Sequence, residues 1–479
     1  MLIPDFKLWK YFGEISKIPR CSGKEQQAGK FIKNFTRGAG LRFKEDTAGN
    51  ILVFKPALNS CSKRTVVLQS HLDMVCEKGS ETKFDFSNDA VKLRKTGNFI
   101  EASGTTLGAD NGIGVAAMLA VLSDKEMPHP PLECLFTVSE ETGLTGLIGA
   151  SRVSVNFLSG RTFLNLDSEE EGTVCTGCAG GAAAVLKMPV IFTALSGQGF
   201  SEFEISVSGL RGGHSGMDIH KKRASAIKIL TEILNGLCRM FDIRISKIEG
   251  GTKINAIPRS AGASVFISEK QDPEFKNFLK EHTGKIKERY GNEKQIKIQW
   301  ENRKAAGKKY FCGGKAACGI VKFISKLPHG LIKKDKSGVV TSANFAILRT
   351  GKKWLEMRYL CRSSSPNGMG SVIKKLEALG RQYNCLFSSK EVFPAWEPVS
   401  NSRILGISRR SYKKIFSKKL RVKTAHAGLE CGVIGKKFGG MDMISIGPDI
   451  ENAHTPSERV KISSVRKFYK FLKGLLKEL

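Results

Sequence analysis

Four short apolar runs mark the first 186 residues: "NILVFKP", "RTVVLQS", "CLFTVS" and "TFLNLD". Each is rich in β-branched or aromatic residues and bounded by polar or glycine-containing segments, a pattern that predicts buried strands. Helix-like and Gly-rich segments alternate with them, which predicts an α/β domain around a central, mostly parallel sheet. The texture then changes. In "SEFEISVSGL", Phe203, Ile205 and Val207 alternate with polar residues, as in an antiparallel strand with one exposed face. "KRASAIKILTEILNGLCRMF" and "NGMGSVIKKLEALGRQYN" carry helical spacing. An inserted α+β domain is therefore expected over 187–400, interrupting a first domain made of 1–186 and 401–479. "GGMDMISIGPDI" reads as a last core strand that returns the chain to that first domain. The final "SVRKFYKFLKGLLKEL" is amphipathic and basic, and docking on the core is favoured over a membrane-surface role.

Composition narrows the class. A chain of 479 residues with 41% hydrophobic and 25% charged residues matches an ordinary globular protein of two or more domains. No apolar run approaches the ~18–20 residues that span a bilayer. The N-terminal "MLIPDFKLWKYFGEISKIPR" is broken by Asp5 and Glu14 and reads as an amphipathic first helix, not a signal peptide, so the cytoplasm is the expected compartment. The twelve cysteines are scattered through apolar segments, as reduced, buried thiols would be. A single CxxC, Cys175 to Cys178, is weak evidence for a zinc knuckle or a redox pair. The net charge of +32 is uneven: residues 1–186 sum to zero, 187–400 to +20 and 401–479 to +12. Such a surface attracts polyanions. The lysines are dispersed, however, without an RNP-like or zinc-finger pattern, so nucleic acid is not the expected partner.

The candidate chemistry sits where apolar runs end. "LECLFTVSEETGL" finishes on adjacent carboxylates, Glu140 and Glu141. Such a pair is either a solvated surface feature or a pair neutralised by a nearby cation. Four other segments share the design. "RTVVLQSHLDMV" runs into His71 and Asp73, "TLGADNGIGVAAMLAVL" places Asp110 at a Gly-flanked turn before a helical run, "RTFLNLDSEEEG" ends on Asp167, and "MDMISIGPDIENAHTPSERV" puts His454 shortly after a strand. Strand ends of one parallel sheet converge, so these groups are expected to meet. Imidazole and carboxylate donors suit zinc. Two metals about 3.5–4 Å apart need a bridging carboxylate, and Asp110, on a turn tightened by Gly108, Gly112 and Gly114, suits that place. Alternation along His71-x-Asp73 puts both side chains on one face, where Asp73 can accept the imidazole proton.

"SHLDMV", "LGADNGIG", "SEETG", "LDSEEEG", "GCAGG", "RGGHSG", "HAGLECG" and "SIGPDIENAHTPSE" together resemble the aminoacyl-histidine dipeptidases, cytosolic Xaa-His dipeptidases of a dinuclear-zinc peptidase clan. The resemblance covers nearly the whole chain and implies a zinc-exopeptidase-like catalytic domain interrupted by a lid. It implies two Zn²⁺ per chain, for which Co²⁺ or Mn²⁺ can substitute. Asp110 would bridge them, with His71 and Asp167 completing one site and Glu141 and His454 the other. It makes Glu140 the general base and His214 in "RGGHSG" the donor to the oxyanion. It also implicates Asn255 and Arg362 in binding the dipeptide's carboxylate and Glu430 in meeting its ammonium group. The expected reaction is hydrolysis of small peptides, Xaa-His dipeptides first. Alternatives are a broader aminopeptidase, tripeptidase or N-deacylase, or a catalytically silent basic protein that binds nucleic acid. A homodimer is left open.

Overall fold

The structure is a computed structural model that describes residues 6–148, 157–195, 199–304, 309–335 and 338–479. The chain divides into two compact units, one formed by Met1–Cys178 with Phe393–Leu479 and the other by Ala179–Val392.

The first unit is built on an eight-stranded sheet. Its strands run, side by side, Arg42–Glu45, Ile51–Lys55, Leu132–Thr137, Val66–His71, Thr162–Asn165, Asp442–Ser445, Thr173–Cys178 and Arg421–Ala425. Four central strands, from Leu132–Thr137 through Asp442–Ser445, are mutually parallel. Every residue of Val66–His71 and of Leu132–Thr137 is buried, which explains why both read as continuous apolar runs. The helix Ala109–Leu122 is buried almost throughout and from Gly112 onward is built from Ala, Gly, Val, Leu, Ile and Met; such all-round apolarity marks a helix enclosed in the core. The helix Lys7–Ile15 buries Leu8, Trp9, Phe12 and Ile15 in the same core. The C-terminal helix Ile462–Glu478 docks there too, burying Val465, Phe468, Leu472, Leu475 and Leu476.

The second unit holds a largely antiparallel sheet. Its path runs Lys297–Lys304, Phe200–Ser208, Ala261–Ser268, Arg244–Gly250, Gly338–Thr350, Trp354–Ser363, Gly180–Pro189 and Leu386–Phe393. Phe203, Ile205 and Val207 are buried while Glu204, Ser206 and Ser208 are partly exposed, so the alternation in the sequence marks the two faces of that strand. The helices Ala226–Met240, Asp272–Arg289, Gly314–Lys326 and Pro366–Gln382 supply the rest of its core. This unit starts at 179, whereas the change of texture in the sequence falls at 187. The difference is the strand Gly180–Pro189, whose small apolar residues resemble the preceding core strand but pair along their length with Trp354–Ser363.

One expectation is overturned. Cys21 and Cys76 form a disulfide, with Cα atoms 5.7 Å apart, while the other ten cysteines are free. The two partners are 55 residues apart in sequence. They meet because the segment after the first helix runs beside the end of Val66–His71, where Met74 N donates to Arg20 O. Cys175 and Cys178 lie buried on a core strand, and burial pushes the Cys178 thiol up to about 12.

Candidate active site

The parallel pairing sets the geometry. His71 lies opposite Thr137, and Gln69 opposite Asn165, so the chain leaves three neighbouring strands at one edge of the sheet. His71 ends the first strand, Glu140 and Glu141 follow the second, and Asp167 follows the third. Asp110 enters from the non-helical turn at the start of Ala109–Leu122, after Gly108 in the left-handed region (φ +67). A side chain on Gly108 would meet Arg20 Nη2 at 2.5 Å, so both conformation and space require glycine there. Gly112 and Gly114 serve differently, because they lie within the helix and allow close approach. A Cβ on Gly114 would come within 2.4 Å of Ser70 Oγ and 2.9 Å of Leu166 O, so its absence lets the helix lie against the strand ends.

Asp110 is central. Its Oδ1 lies 3.1 Å from His71 Nε2, and its Oδ2 lies 3.0 Å from His454 Nε2. Each imidazole also meets a second carboxylate: His71 Nε2 is 3.2 Å from Asp167 Oδ1, and His454 Nε2 is 2.9 Å from Glu141 Oε1. The two oxygens of one aspartate are thus shared between two histidine–carboxylate groups. His71, Asp110 and Glu141 also present ligand atoms that all lie within 4.8 Å of one another. On His71, Nδ1 lies 3.0 Å from the main-chain oxygen of Asp73, which can only accept; the proton therefore sits on Nδ1 and Nε2 faces the carboxylates.

The Asp73 carboxylate, expected to take that imidazole proton, is farther away, at 3.5 Å. Its oxygens instead accept from the amides of Glu140 (3.0 Å) and Glu141 (3.1 Å) and from Ser22 Oγ (2.8 Å). Asp73 therefore aims the adjacent glutamates. Ser139, with φ +54, turns the chain into that position, and Glu25 Oε1 holds it through the Ser139 amide (3.0 Å) and hydroxyl (3.2 Å).

The electrostatics call for added positive charge. Burial pushes the His71 imidazole down, but Asp167, Asp110 and Asp73 outweigh it and hold it well above its usual range. Asp110, although buried, is held below the usual carboxylate range by its two histidines. Burial and then Asp110 raise Glu141 to about 7, against the pull of His454. Burial raises Asp167 to about 6, with Asp110 adding to it. Glu140 is raised well above the usual range, first by burial and then by the neighbouring carboxylates against His71. Protons on the two imidazoles stand where divalent cations would be favoured. The donor set of imidazole nitrogens and carboxylate oxygens fits zinc and related divalent ions.

Glu430 differs from expectation. It is fully buried at the start of the helix Glu430–Phe438, and its Oε2 accepts from Gln69 Nε2 (2.5 Å) and Thr137 Oγ1 (2.7 Å). Asn165 Nδ2 extends the network by donating to Gln69 Oε1 at 2.6 Å. Gln69, Thr137 and Asn165 precede His71, Glu140 and Asp167 on their strands by two or three residues, so this polar layer underlies the site. With no solvent access, Glu430 cannot meet a substrate ammonium group in this conformation.

The remaining candidates belong to the second unit. Gly213–His214 pairs with Ala256–Ile257. His214 Nδ1 lies 3.1 Å from the Met217 amide, and its Nε2 lies 3.3 Å from Arg362 Nη2, which can only donate. Arg362 is buried on Trp354–Ser363. Asn255 is exposed in the adjoining turn, and its carbonyl accepts from Ser215 N at 2.8 Å.

A parallel sheet whose strand ends gather two imidazoles around one shared carboxylate has the makings of a metal-dependent hydrolase. Residues 205–294 match the peptidase dimerisation domain of the M20 peptidases. The chain is 36% identical over 477 residues to the cytosol non-specific dipeptidase of Escherichia coli, covering 98% of this chain and 97% of that protein. The crystal structure of aminoacylhistidine dipeptidase from Vibrio alginolyticus superposes with a TM-score of 0.81 at 34% identity, covering 98% and 96% of the two chains. A tripeptidase from Staphylococcus aureus shares the fold, with a TM-score of 0.57 at 17% identity over 100% and 99% of the chains. The chain belongs to this family of M20 dipeptidases, which are metal-dependent hydrolases.

Proposed function

We propose that this protein is a cytoplasmic dinuclear-zinc dipeptidase that cleaves Xaa-His dipeptides. One observation carries the metal reading: the two oxygens of Asp110 face two different imidazoles, each of which meets a further carboxylate. Asp110 would bridge, His71 and Asp167 would hold one ion, and Glu141 and His454 the other. Bound cations supply a water of lowered pKa and polarise the peptide carbonyl. Glu140 takes the proton from that water as its oxygen bonds to the carbonyl carbon. It then delivers the proton to the amine nitrogen as the C–N bond breaks. Burial suits Glu140 to both tasks, because it favours the protonated form between them. Asp73 holds the Glu140 amide and with it the base.

For the second unit, the reading makes Ala179–Val392 a lid. His214 is the donor to the substrate oxygen that gains charge. Arg362, with its planar fork, and Asn255 take the substrate carboxylate. The match of 205–294 to a dimerisation domain favours a homodimer. The Xaa-His preference rests on the Vibrio relative, and the name of the Escherichia coli relative favours a second reading, a dipeptidase without that preference.

The test is hydrolysis of β-alanyl-histidine and a panel of other dipeptides by metal-loaded and chelator-treated protein. Chelator-sensitive cleavage favouring C-terminal histidine supports the proposal. Equal cleavage across the panel supports the second reading, and cleavage indifferent to chelator removes both.

A further inference from the structure

Two buried charged residues outside the proposed chemistry, Glu458 and Arg20, converge on the turn that carries Asp110. Glu458 is 2% exposed. Its Oε2 accepts from Leu107 N (2.8 Å) and Gly108 N (3.0 Å), and its Oε1 from Ala109 N (2.8 Å) and Asp110 N (3.3 Å). Four consecutive amides therefore close on one carboxylate just before the regular part of Ala109–Leu122, where Asp110 and Asn111 depart from helical geometry. Arg20 holds the same turn through its carbonyl side: Nη2 donates to Gly108 O at 2.5 Å. Its Nη1 donates to Leu72 O (3.0 Å) and Asp73 O (3.3 Å), the residues just after His71. Glu458 also lies four positions after His454. Three separate stretches of chain, those bearing His71, Asp110 and His454, are thus tied through these two side chains.

We infer that Glu458 is a positioning residue for the metal centre: by clasping the 107–110 amides it fixes the Asp110 turn to the His454 loop, and Arg20 fixes that turn to the end of the His71 strand. A plain helix cap would contribute to folding alone. Positioning sets how well the donors are organised before a cation arrives, so it contributes to metal affinity beyond its effect on stability. The inference rests on the metal reading above.

The experiment measures Zn²⁺ affinity of the full chain by chelator competition for wild type, Glu458→Gln and Leu472→Ala. The glutamine amide would set a donor against backbone donors, opening the clasp. Leu472 is fully buried in the same core and takes no part in the clasp, so Leu472→Ala serves as a loss of stability without loss of those hydrogen bonds. The expected result is about 10–100-fold weaker zinc binding for Glu458→Gln, with Leu472→Ala binding as wild type does. Equal affinity in Glu458→Gln and wild type overturns the inference, as does an equal loss in both variants. Wild type that binds no zinc overturns the metal reading and this inference with it. If Glu458→Gln does not fold, hydrogen exchange of wild type decides. Protection of the 107–110 amides in metal-free protein supports the clasp, and free exchange there with the surrounding strands protected overturns it.

Discussion

The two units hold their polar groups in different ways. In the first, His71, Glu141 and Asp167 end or follow buried parallel strands, while Asp110 and His454 come from a helix start and a loop. Other side chains fix two of the turns: Asp73 and Glu25 hold the Glu140–Glu141 turn, and Glu458 and Arg20 hold Asp110. In the second, His214 sits in a two-residue strand next to Gly212 and Gly213, both at positive φ, and Asn255 is exposed. The first arrangement suits cations, which tolerate little error in donor position. The second suits a substrate that arrives and leaves, because a glycine-rich turn can adjust to it. Sites on strand ends are more exactly placed than sites on turns.

That contrast can be broken by mutation, and the largest effect belongs to the first unit. Asp110→Ala should remove both metal sites together, leaving protein without bound zinc and without detectable dipeptide hydrolysis; metal analysis and a turnover assay check it. Glu140→Gln should separate binding from chemistry, with zinc retained and kcat lower by about 10²–10⁴-fold. Normal turnover in that variant would remove Glu140 as the base. In the second unit, His214→Ala should retain full zinc content and lose about 10²–10³-fold in kcat, as the removal of an oxyanion donor does. Zinc loss in that variant would contradict the division of labour.

The smallest effect concerns the polar layer beneath the strands. Burial raises the Glu430 carboxyl from 4.5 to about 8 in the metal-free protein. An acid raised on folding binds more protons folded than unfolded between those values. Stability should therefore fall as pH rises from about 4.5 to about 8, and level off above that window. Glu430→Gln lacks this titration. Denaturant melts of metal-free wild type and variant across that range should differ in slope, with wild type losing more stability toward pH 8. Parallel slopes would show that Glu430 does not titrate there.

The legible part of the molecule follows the same contrast. Strands such as "RTVVLQS" are visible because burial on both faces favours a short apolar run, here Val66, Val67 and Leu68, and a His or Asp just beyond one stands out. His71, Glu141 and Asp167 meet because parallel pairing brings those ends to one edge of the sheet. Glu458, Arg20 and Glu25 gave no such signal. Each is an ordinary charged residue in a loop or at a helix start, and its role exists only once distant segments pack together. "HTPSE" placed Glu458 within sight of His454, but nothing local connects it to residues 107–110. The Cys21–Cys76 pair escaped for the same reason, and so did the confinement of Glu430, whose partners Gln69 and Thr137 lie on two other strands. The second compact unit begins eight residues before the change of texture because "GGAAAVLKMP" is as apolar as the core strand before it.

The proposed site stands or falls on Asp110 as the bridge between two cations. Zinc titration of chelator-treated full-length protein, followed by calorimetry and by recovery of dipeptide hydrolysis, tests it most directly. About two equivalents per chain are expected in wild type, with full activity only after the second, and none tightly bound in Asp110→Ala. A single equivalent sufficient for full activity, or zinc binding unchanged in Asp110→Ala, would contradict it.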